Sequence, residues 1–236
     1  MRTSLALSPD SSESFAREVD ENLRRDQARD FARNYGGWLI GGMILLLALI
    51  GGYLYWQDRQ QKAAALDSET LSKIISDIGE RNLGTVPARL DILADTGSDG
   101  VRAAAALTRA ALAVEQSDRK LAAAKYRQIA ADTKLAQPYR DLATIRGVAV
   151  DFDSIKPEEV IARLQPLAKP GNPWFGSAGE MTAMAMIKLN RKPEAGRLFA
   201  AIAADKAVPE SLRSRAVQIA GTLGVDASAS LPASAL

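Results

Sequence analysis

The chain has 236 residues, of which 47% are hydrophobic and 25% are charged, and this composition is typical of a folded protein rather than a disordered one. It contains neither cysteine nor histidine, which excludes disulfide scaffolds, thiol nucleophiles, Cys/His zinc sites and catalysis through an imidazole. Thirty basic residues nearly balance 28 acidic ones, so the charge predicts no nucleic-acid partner.

The first 33 residues are polar, and we interpret residues 1–33 as a tail. Its beginning is rich in serine, for which we expect disorder. Arginines and acidic residues separate five positions at four-residue steps, which predicts an amphipathic helix; the positions are Phe15, Val19, Leu23, Gln27 and Phe31. Three roles suit such a helix: docking to a cytoplasmic partner, binding to anionic lipid, or forming the solvated flank of a membrane span.

Residues 34–57 contain no charged side chain, and the run from Trp38 to Ile50 is almost wholly apolar. As a helix these residues reach about 36 Å, which exceeds the ~30 Å hydrocarbon core of a bilayer. Tyrosines and tryptophans lie at both ends, at the level that headgroups would occupy. We therefore predict one transmembrane helix at residues 34–57. A buried core helix and a cleaved signal peptide are the alternatives, and the long polar tail and bulky following residues disfavour cleavage.

The basic residues that flank this span are distributed unequally. Within about 20 residues of the span, more of them lie before it than after it. The positive-inside rule therefore predicts a cytoplasmic N-terminus and the export of everything after Asp58. The residues counted are, before the span, Arg17, Arg24, Arg25, Arg29 and Arg33, and after it, Arg59, Lys62 and Lys73.

Small residues recur along one face of the predicted span, at Gly37, Gly41, Ala48 and Gly52. Such a stripe lets a second helix approach closely in lipid, which implies an identical or a foreign partner helix. An identical partner would make the protein a homo-oligomer through this helix. The alternative is that the stripe reflects the ordinary abundance of glycine in membrane helices.

Beyond the span the sequence predicts helices only. Alternating β-branched runs are absent, and Ala, Leu, Arg and Lys recur at spacings of three and four between glycines and prolines. Short connections predict antiparallel neighbours. A disordered tail is expected at residues 224–236. The expected helices cover residues 57–78, 87–94, 101–116, 119–131, 138–150, 157–167, 174–189, 193–204 and 209–223.

A repeat becomes visible when the helix starts are aligned. Pro138, Pro173 and Pro209 open predicted helices 35 and 36 residues apart. Large residues on the other helix of each pair follow a similar spacing, and small residues precede two of them by four positions. Two helices per period of about 34 residues are typical of tetratricopeptide arrays, although the usual Trp-Leu-Gly-Tyr signature is missing. The positions expected in the repeat core are Leu90, Tyr126, Leu164, Phe199, Ala122 and Ala195.

We therefore predict an all-α fold in which a single N-terminal transmembrane helix precedes a tetratricopeptide-like α-solenoid at residues 58–223. Antiparallel helix pairs would stack on one another and end in a capping helix. Stacking of this kind buries a continuous core and leaves a concave face.

Three groups of residues outside the repeat pattern could bind a partner or a metal. The adjacent aromatic residues Trp174 and Phe175 are either a partner-binding hot spot or inter-repeat core. The methionines within residues 181–186 are either an adaptable binding surface or packing. Asp151 and Asp153 could bind a metal or take part in acid–base chemistry. The simpler interpretation is that they lie where one helix ends and the next is capped. We predict no catalytic, cofactor-binding or metal-binding residue, and no enzyme activity.

The segment from Val19 to Gly36, the span that ends in Tyr-Leu-Tyr-Trp at residues 53–56 and the degenerate repeats together resemble the YfgM-type bacterial proteins. The resemblance covers the chain to about Leu223. It implies an inner-membrane protein with a short cytoplasmic N-terminus and a periplasmic tetratricopeptide-like domain. It also implies an ancillary subunit of the Sec translocon that associates with a periplasmic chaperone and passes on newly exported proteins.

The expected function is thus a non-enzymatic, single-pass scaffold of the bacterial inner membrane. Its expected partners are the membrane, Sec translocon subunits, a periplasmic chaperone and exported clients, without nucleic acid or cofactor. A scaffold for cell-envelope assembly or division machinery with the same architecture is the alternative.

Overall fold

The computed structural model describes the backbone of residues 10–230 and the side chains of residues 33, 35, 37, 38 and 40–230. All the regular elements in this part of the chain are helical, which confirms the all-α prediction for it. The Ser-rich beginning, the faces of the predicted tail helix and residues 231–236 lie outside the described residues. The chain divides into two compact units after Lys62, and each is described by itself.

The first helix, α1, spans Asp10–Gly79. Pro9 precedes its first residue and the next proline is Pro87, so no proline removes a helical N–H between them. The glycine pairs within the apolar run lower the helix propensity without ending the helix. The predicted tail helix, the predicted span and the first predicted repeat helix all fall within α1.

The apolar run of α1 exposes its side chains in the first unit. Trp38 is 83% exposed and Leu45 is 63% exposed. The stretch Ile40–Gly79 is long and apolar enough to cross a membrane. Since every side chain of residues 40–57 is exposed, the alternative of a soluble core helix does not fit this part of α1.

The second unit contains the end of α1 and eight further α-helices. Their bounds differ from the sequence prediction by three residues at most. Prolines at the first or second position open α2, α5, α6 and α8, where the missing N–H costs no intrahelical bond. The helices are α2 Val86–Thr96, α3 Asp99–Glu115, α4 Arg119–Ala131, α5 Gln137–Asp151, α6 Pro157–Leu164, α7 Phe175–Lys188, α8 Lys192–Ala204 and α9 Glu210–Thr222.

Consecutive helices from α2 to α9 pack against one another. In addition, α3 contacts α5, α5 contacts α7, and α7 contacts α9. These four helices therefore form one layer, which we call the odd-helix layer. Contacts between neighbours and between next-but-one helices are the pattern expected of stacked helical hairpins.

The core of the second unit consists of four clusters, each shared by successive helices. Leu90, Tyr126, Leu164 and Phe199 each lie in a different cluster, so the large periodic residues mark the centres of successive repeats. The small positions that precede two of them are fully buried, which allows close helix approach. All six of these side chains are at most 4% exposed: Leu90, Ala122, Tyr126, Leu164, Ala195 and Phe199.

The structure corrects the expectation of a disordered tail from residue 224. Val225 packs against the last core cluster, and Ala227 is buried within it. Arg213 donates from Nη2 to the carbonyl oxygen of Ser230 at 3.3 Å, next to a short 3-10 helix. Gly224 adopts φ +81°, a left-handed conformation that turns the chain back after α9. The folded region therefore extends to residue 230.

Candidate partner-binding surface

The two aromatic residues proposed as a hot spot lie in different environments. Phe175 is 1% exposed and belongs to the same core cluster as Phe199, so it presents no surface to a partner. This corrects the partner-binding expectation for Phe175. Trp174 precedes the first residue of α7, is half-buried, and packs against the cluster that holds Leu164.

Phe175 could be assigned to the core because of the glycines that follow it. A Cβ on Gly179 would lie 3.0 Å from Ile202 Cδ1, and one on Gly176 would lie 3.0 Å from Val208 Cγ1. These glycines let α8 and its following segment approach α7 closely, at the place where Phe175 is enclosed. Glycines at steps of one and four after an aromatic residue are thus the signal that distinguishes core from surface here.

The acidic residues at the end of α5 take structural roles. Asp151 is the last residue of α5, and its carbonyl oxygen accepts from the N–H groups of Ser154 and Ile155. Asp153 accepts from Lys188 Nζ at 2.8 Å, and this hydrogen bond lowers the pKa of Asp153. Within the described residues, no group of three acidic side chains is placed to hold a metal ion.

The odd-helix layer contains a groove of about 570 Å³ between α3 and α5. Its apolar lining is Ala111 and Val114 of α3 with Ala149 and Val150 of α5. Polar groups surround this apolar floor and could orient a bound segment. They are Glu115, Ser117, Arg119, Tyr126 and Arg146.

Exposed apolar side chains continue beyond the groove at the repeat spacing. Val114 on α3, Ala149 on α5 and Met184 on α7 are separated by 35 residues each. All three are exposed, Val114 by 41% and Met184 by 40%. We call these three residues the apolar row. Equivalent positions of successive repeats recur along one layer, so the row favours an extended ligand that crosses several helices.

The charges at the groove give it a positive edge. Arg119 donates to the carbonyl oxygen of Val150 and so ties the start of α4 to the end of α5. Arg146 is exposed and has no carboxylate partner among the described residues. Burial raises the pKa of the Tyr126 phenol, and the nearby Arg146 opposes this rise. The groove therefore combines an apolar floor with an unneutralised cation.

Ion pairs join residues that are one repeat length apart. Lys125 Nζ lies 2.7 Å from Asp91 Oδ1, and these residues are 34 apart. Arg215 donates both Nε and Nη2 to Glu180, 35 residues before it, at 2.7 and 2.8 Å. The Asp153–Lys188 pair has the same 35-residue separation. Sequence analysis missed these pairs, although opposite charges one repeat length apart are visible in the sequence.

In the first unit, the small-residue stripe faces open space. No described atom lies within 4 Å of a Cβ placed on Gly37, Gly41 or Gly52. A shallow apolar hollow lies beside Gly37 and Gly41, next to the exposed ring of Trp38. The stripe is therefore accessible to another helix.

Comparison with known proteins identifies one family. A tetratricopeptide repeat-like domain is recognised at residues 29–219, which includes the apolar run of α1 and the helices through most of α9. No curated protein and no solved structure matches the chain.

Proposed function

Because the chain belongs to the tetratricopeptide repeat-like domain family, we propose that it is a membrane-anchored scaffold that binds other polypeptides along its odd-helix layer. Domains of this kind are protein-interaction modules, and the apolar stretch of α1 is long enough to anchor one in a membrane. The observation that carries the proposal is the groove between α3 and α5. Its lining residues Val114 and Ala149 also belong to the apolar row, to which α7 adds Met184.

The groove favours an extended apolar segment over a folded partner. Its apolar side chains are separate and shallow, and successive helices repeat them along the layer. A segment of a newly exported protein has apolar side chains that are not yet buried, so it would gain by contact with Val114, Ala149 and Met184. Arg146 would add attraction to acidic residues in such a segment.

The site of action is part of the same proposal. Within about 20 residues of the apolar run, more basic residues lie before it than after it, which supports a cytoplasmic N-terminus and a periplasmic repeat domain in a bacterial inner membrane. The resemblance to the YfgM-type proteins supports a place beside the Sec translocon, with transfer of clients to a periplasmic chaperone. The exposed stripe at Gly37, Gly41, Ala48 and Gly52 supports a helix–helix contact in the membrane, either with a translocon subunit or with a second copy of the chain.

Site-specific photocrosslinking in living cells tests this proposal. A photoreactive amino acid at Val114, Ala149 or Met184 should capture exported proteins and Sec or chaperone partners, identified by mass spectrometry. The control position is Arg197, which is exposed on α8 outside the groove and the apolar row. Equal capture from the control would contradict binding at the groove. Capture of cell-envelope assembly or division proteins alone would replace the translocon with the alternative machinery.

A further inference from the structure

A separate cavity of about 190 Å³ lies among α2, α3, α4 and the segment that follows α4. Arg102, Ala106 and Arg109 contribute one face of α3 to it, since they are spaced by four and three residues. Both neighbouring helices contribute charged side chains. The charged residues of the lining are Asp91, Asp95, Arg102, Arg109, Lys125 and Asp132.

The deep part of this cavity carries excess positive charge. The side chain of Arg109 is 11% exposed and that of Arg102 is 22% exposed. Arg109 Nε and Lys125 Nζ lie 3.4 and 2.7 Å from the carboxylate of Asp91, so two cations share one anion. Arg102 Nη2 donates to the exposed Asp99 carboxylate at 3.1 Å, so Arg102, Arg109 and Lys125 share two carboxylates. Arg109 Nη1 and Arg102 Nε are buried and have no hydrogen-bond partner among the described residues. Unpaired buried N–H groups are unfavourable, and an acceptor beside these arginines would relieve that cost.

The rim of the cavity carries the opposite charge. Asp95 is exposed and has no ion-pair or hydrogen-bond partner among the described residues. The carboxylate of Asp132 accepts one hydrogen bond, from the backbone N–H of Lys134 at 2.9 Å, and forms no ion pair in this part of the chain. Two carboxylates without a neutralising cation therefore stand at the mouth of a positively charged interior.

We propose that this cavity binds a zwitterion of amino-acid size, with its carboxylate toward Arg102 and Arg109 and its ammonium toward Asp95 and Asp132. A simple anion would meet the two carboxylates at the rim, and a simple cation would meet the buried arginines. A molecule with both charges is attracted at both ends. The cavity is smaller than the ~300–1,000 Å³ that accommodates drug-sized ligands, which limits the ligand to a small molecule.

Equilibrium dialysis of the full chain in detergent micelles with radiolabelled L-alanine tests the proposal. We expect saturable binding that N-acetyl-L-alanine and L-alaninamide do not displace, because each derivative lacks one of the two charges. Absence of saturable binding up to about 10 mM, which corresponds to less than about 3 kcal/mol of binding free energy, would overturn the proposal. Equal displacement by either derivative would also overturn it.

Single substitutions locate the binding. Arg102→Gln should weaken binding about tenfold, the usual effect of removing one charged hydrogen-bonding partner. Asp95→Asn should weaken it severalfold, and because Asp95 is exposed and unpaired this variant keeps the fold. Arg197→Gln, on α8 outside the cavity, should bind L-alanine as the unmodified chain does. If Asp95→Asn bound L-alanine with unchanged affinity, the carboxylates at the rim would have no part in binding, and the zwitterion assignment would be overturned.

Discussion

Asp91 joins the first repeats through a single carboxylate. Its oxygens accept from Lys125 on α4 and from Arg109 on α3, while Asp91 itself lies on α2. Partial burial raises the pKa of Asp91, but the hydrogen bond and charge of Lys125, together with Arg109, outweigh that effect and hold the pKa below its usual value. A carboxylate with a lowered pKa in the folded state stabilises that state only while it is ionised.

The first prediction follows from this linkage. Asp91→Asn should lower the free energy of unfolding by about 1–2 kcal/mol at neutral pH, because Arg109 is then left buried without its carboxylate. The folded-state pKa is the lower one, so the contribution is complete above about pH 5 and is lost as the pH falls below about 4. Urea unfolding of both chains as a function of pH measures the difference.

Asp95→Asn is the matched control, since Asp95 lies on the same helix, is exposed and pairs with no described residue. It should leave the free energy of unfolding at neutral pH unchanged. A difference between Asp91→Asn and the unmodified chain that did not begin to shrink as the pH fell below about 4 would contradict the role assigned to the ionised carboxylate.

At the scale of elements, the connection between α2 and α3 depends on Gly97. A Cβ at this position would lie 2.6 Å from the carbonyl oxygen of Leu93 and 3.3 Å from its Cδ1 atom. The obstructing oxygen belongs to the backbone, so it can move only if the end of α2 moves. Gly97 also donates its N–H to that oxygen at 3.0 Å, which closes the last turn of α2.

The second prediction is that Gly97→Ala lowers the free energy of unfolding by about 1–3 kcal/mol, the usual cost of a steric clash that forces a backbone shift. Gly221→Ala is the control, because nothing lies within 4 Å of its added Cβ and it is helical in α9. That substitution should be neutral or stabilising by up to about 1 kcal/mol. Equal stability of the two variants in chemical unfolding would count against the geometry around Gly97.

Periodicity made the elements of the repeat region predictable. Prolines near helix starts and large residues such as Tyr126 and Phe199 recur at the repeat length, so both the helix bounds and the core positions could be derived from spacing. The environment of Phe175 could not be derived from the repeat spacing, because an aromatic residue at a helix start suits both core and surface, and the signal lay instead in the closely packed glycines at 176 and 179. The ordered segment after α9 was also missed, since Ala and Ser are common in disordered tails and the packing of Val225 and Ala227 depends on long-range contacts.

The groove between α3 and α5 was predictable only in outline. Sequence analysis predicted a solenoid with a binding face, but Val114 and Ala149 are ordinary helix residues in the sequence. Only the packing of α3 beside α5 brings these side chains together around one cavity. Arg146 likewise becomes a candidate binding residue because the structure leaves it without a carboxylate partner in the described region.

At the scale of the whole molecule, the function depends on where the repeat domain lies in the cell. The third prediction is that a C-terminal reporter that is active only after export shows activity, and that a reporter active only in the cytoplasm does not. Replacement of Arg24, Arg25 and Arg29 by glutamine reverses the excess of basic residues before the apolar run, so this variant should show mixed orientation. A cytoplasmic signal from the unmodified chain would contradict the periplasmic assignment.

The proposed function requires polypeptides to bind at the groove of the odd-helix layer. The most direct measurement compares the proteins that co-purify in mild detergent with two double variants. The test variant is Val114→Asp/Ala149→Asp, which places charges on the apolar floor of the groove. The control variant is Ile92→Asp/Ala124→Asp, whose two positions are exposed on α2 and α4 outside the groove. Charges on the apolar floor should reduce the recovery of Sec, chaperone and client proteins about tenfold or more, because buried contact with a carboxylate is unfavourable. The control variant should recover these proteins as the unmodified chain does. Equal recovery by the test and control variants, when both unfold at the same temperature as the unmodified chain, would contradict binding at the groove.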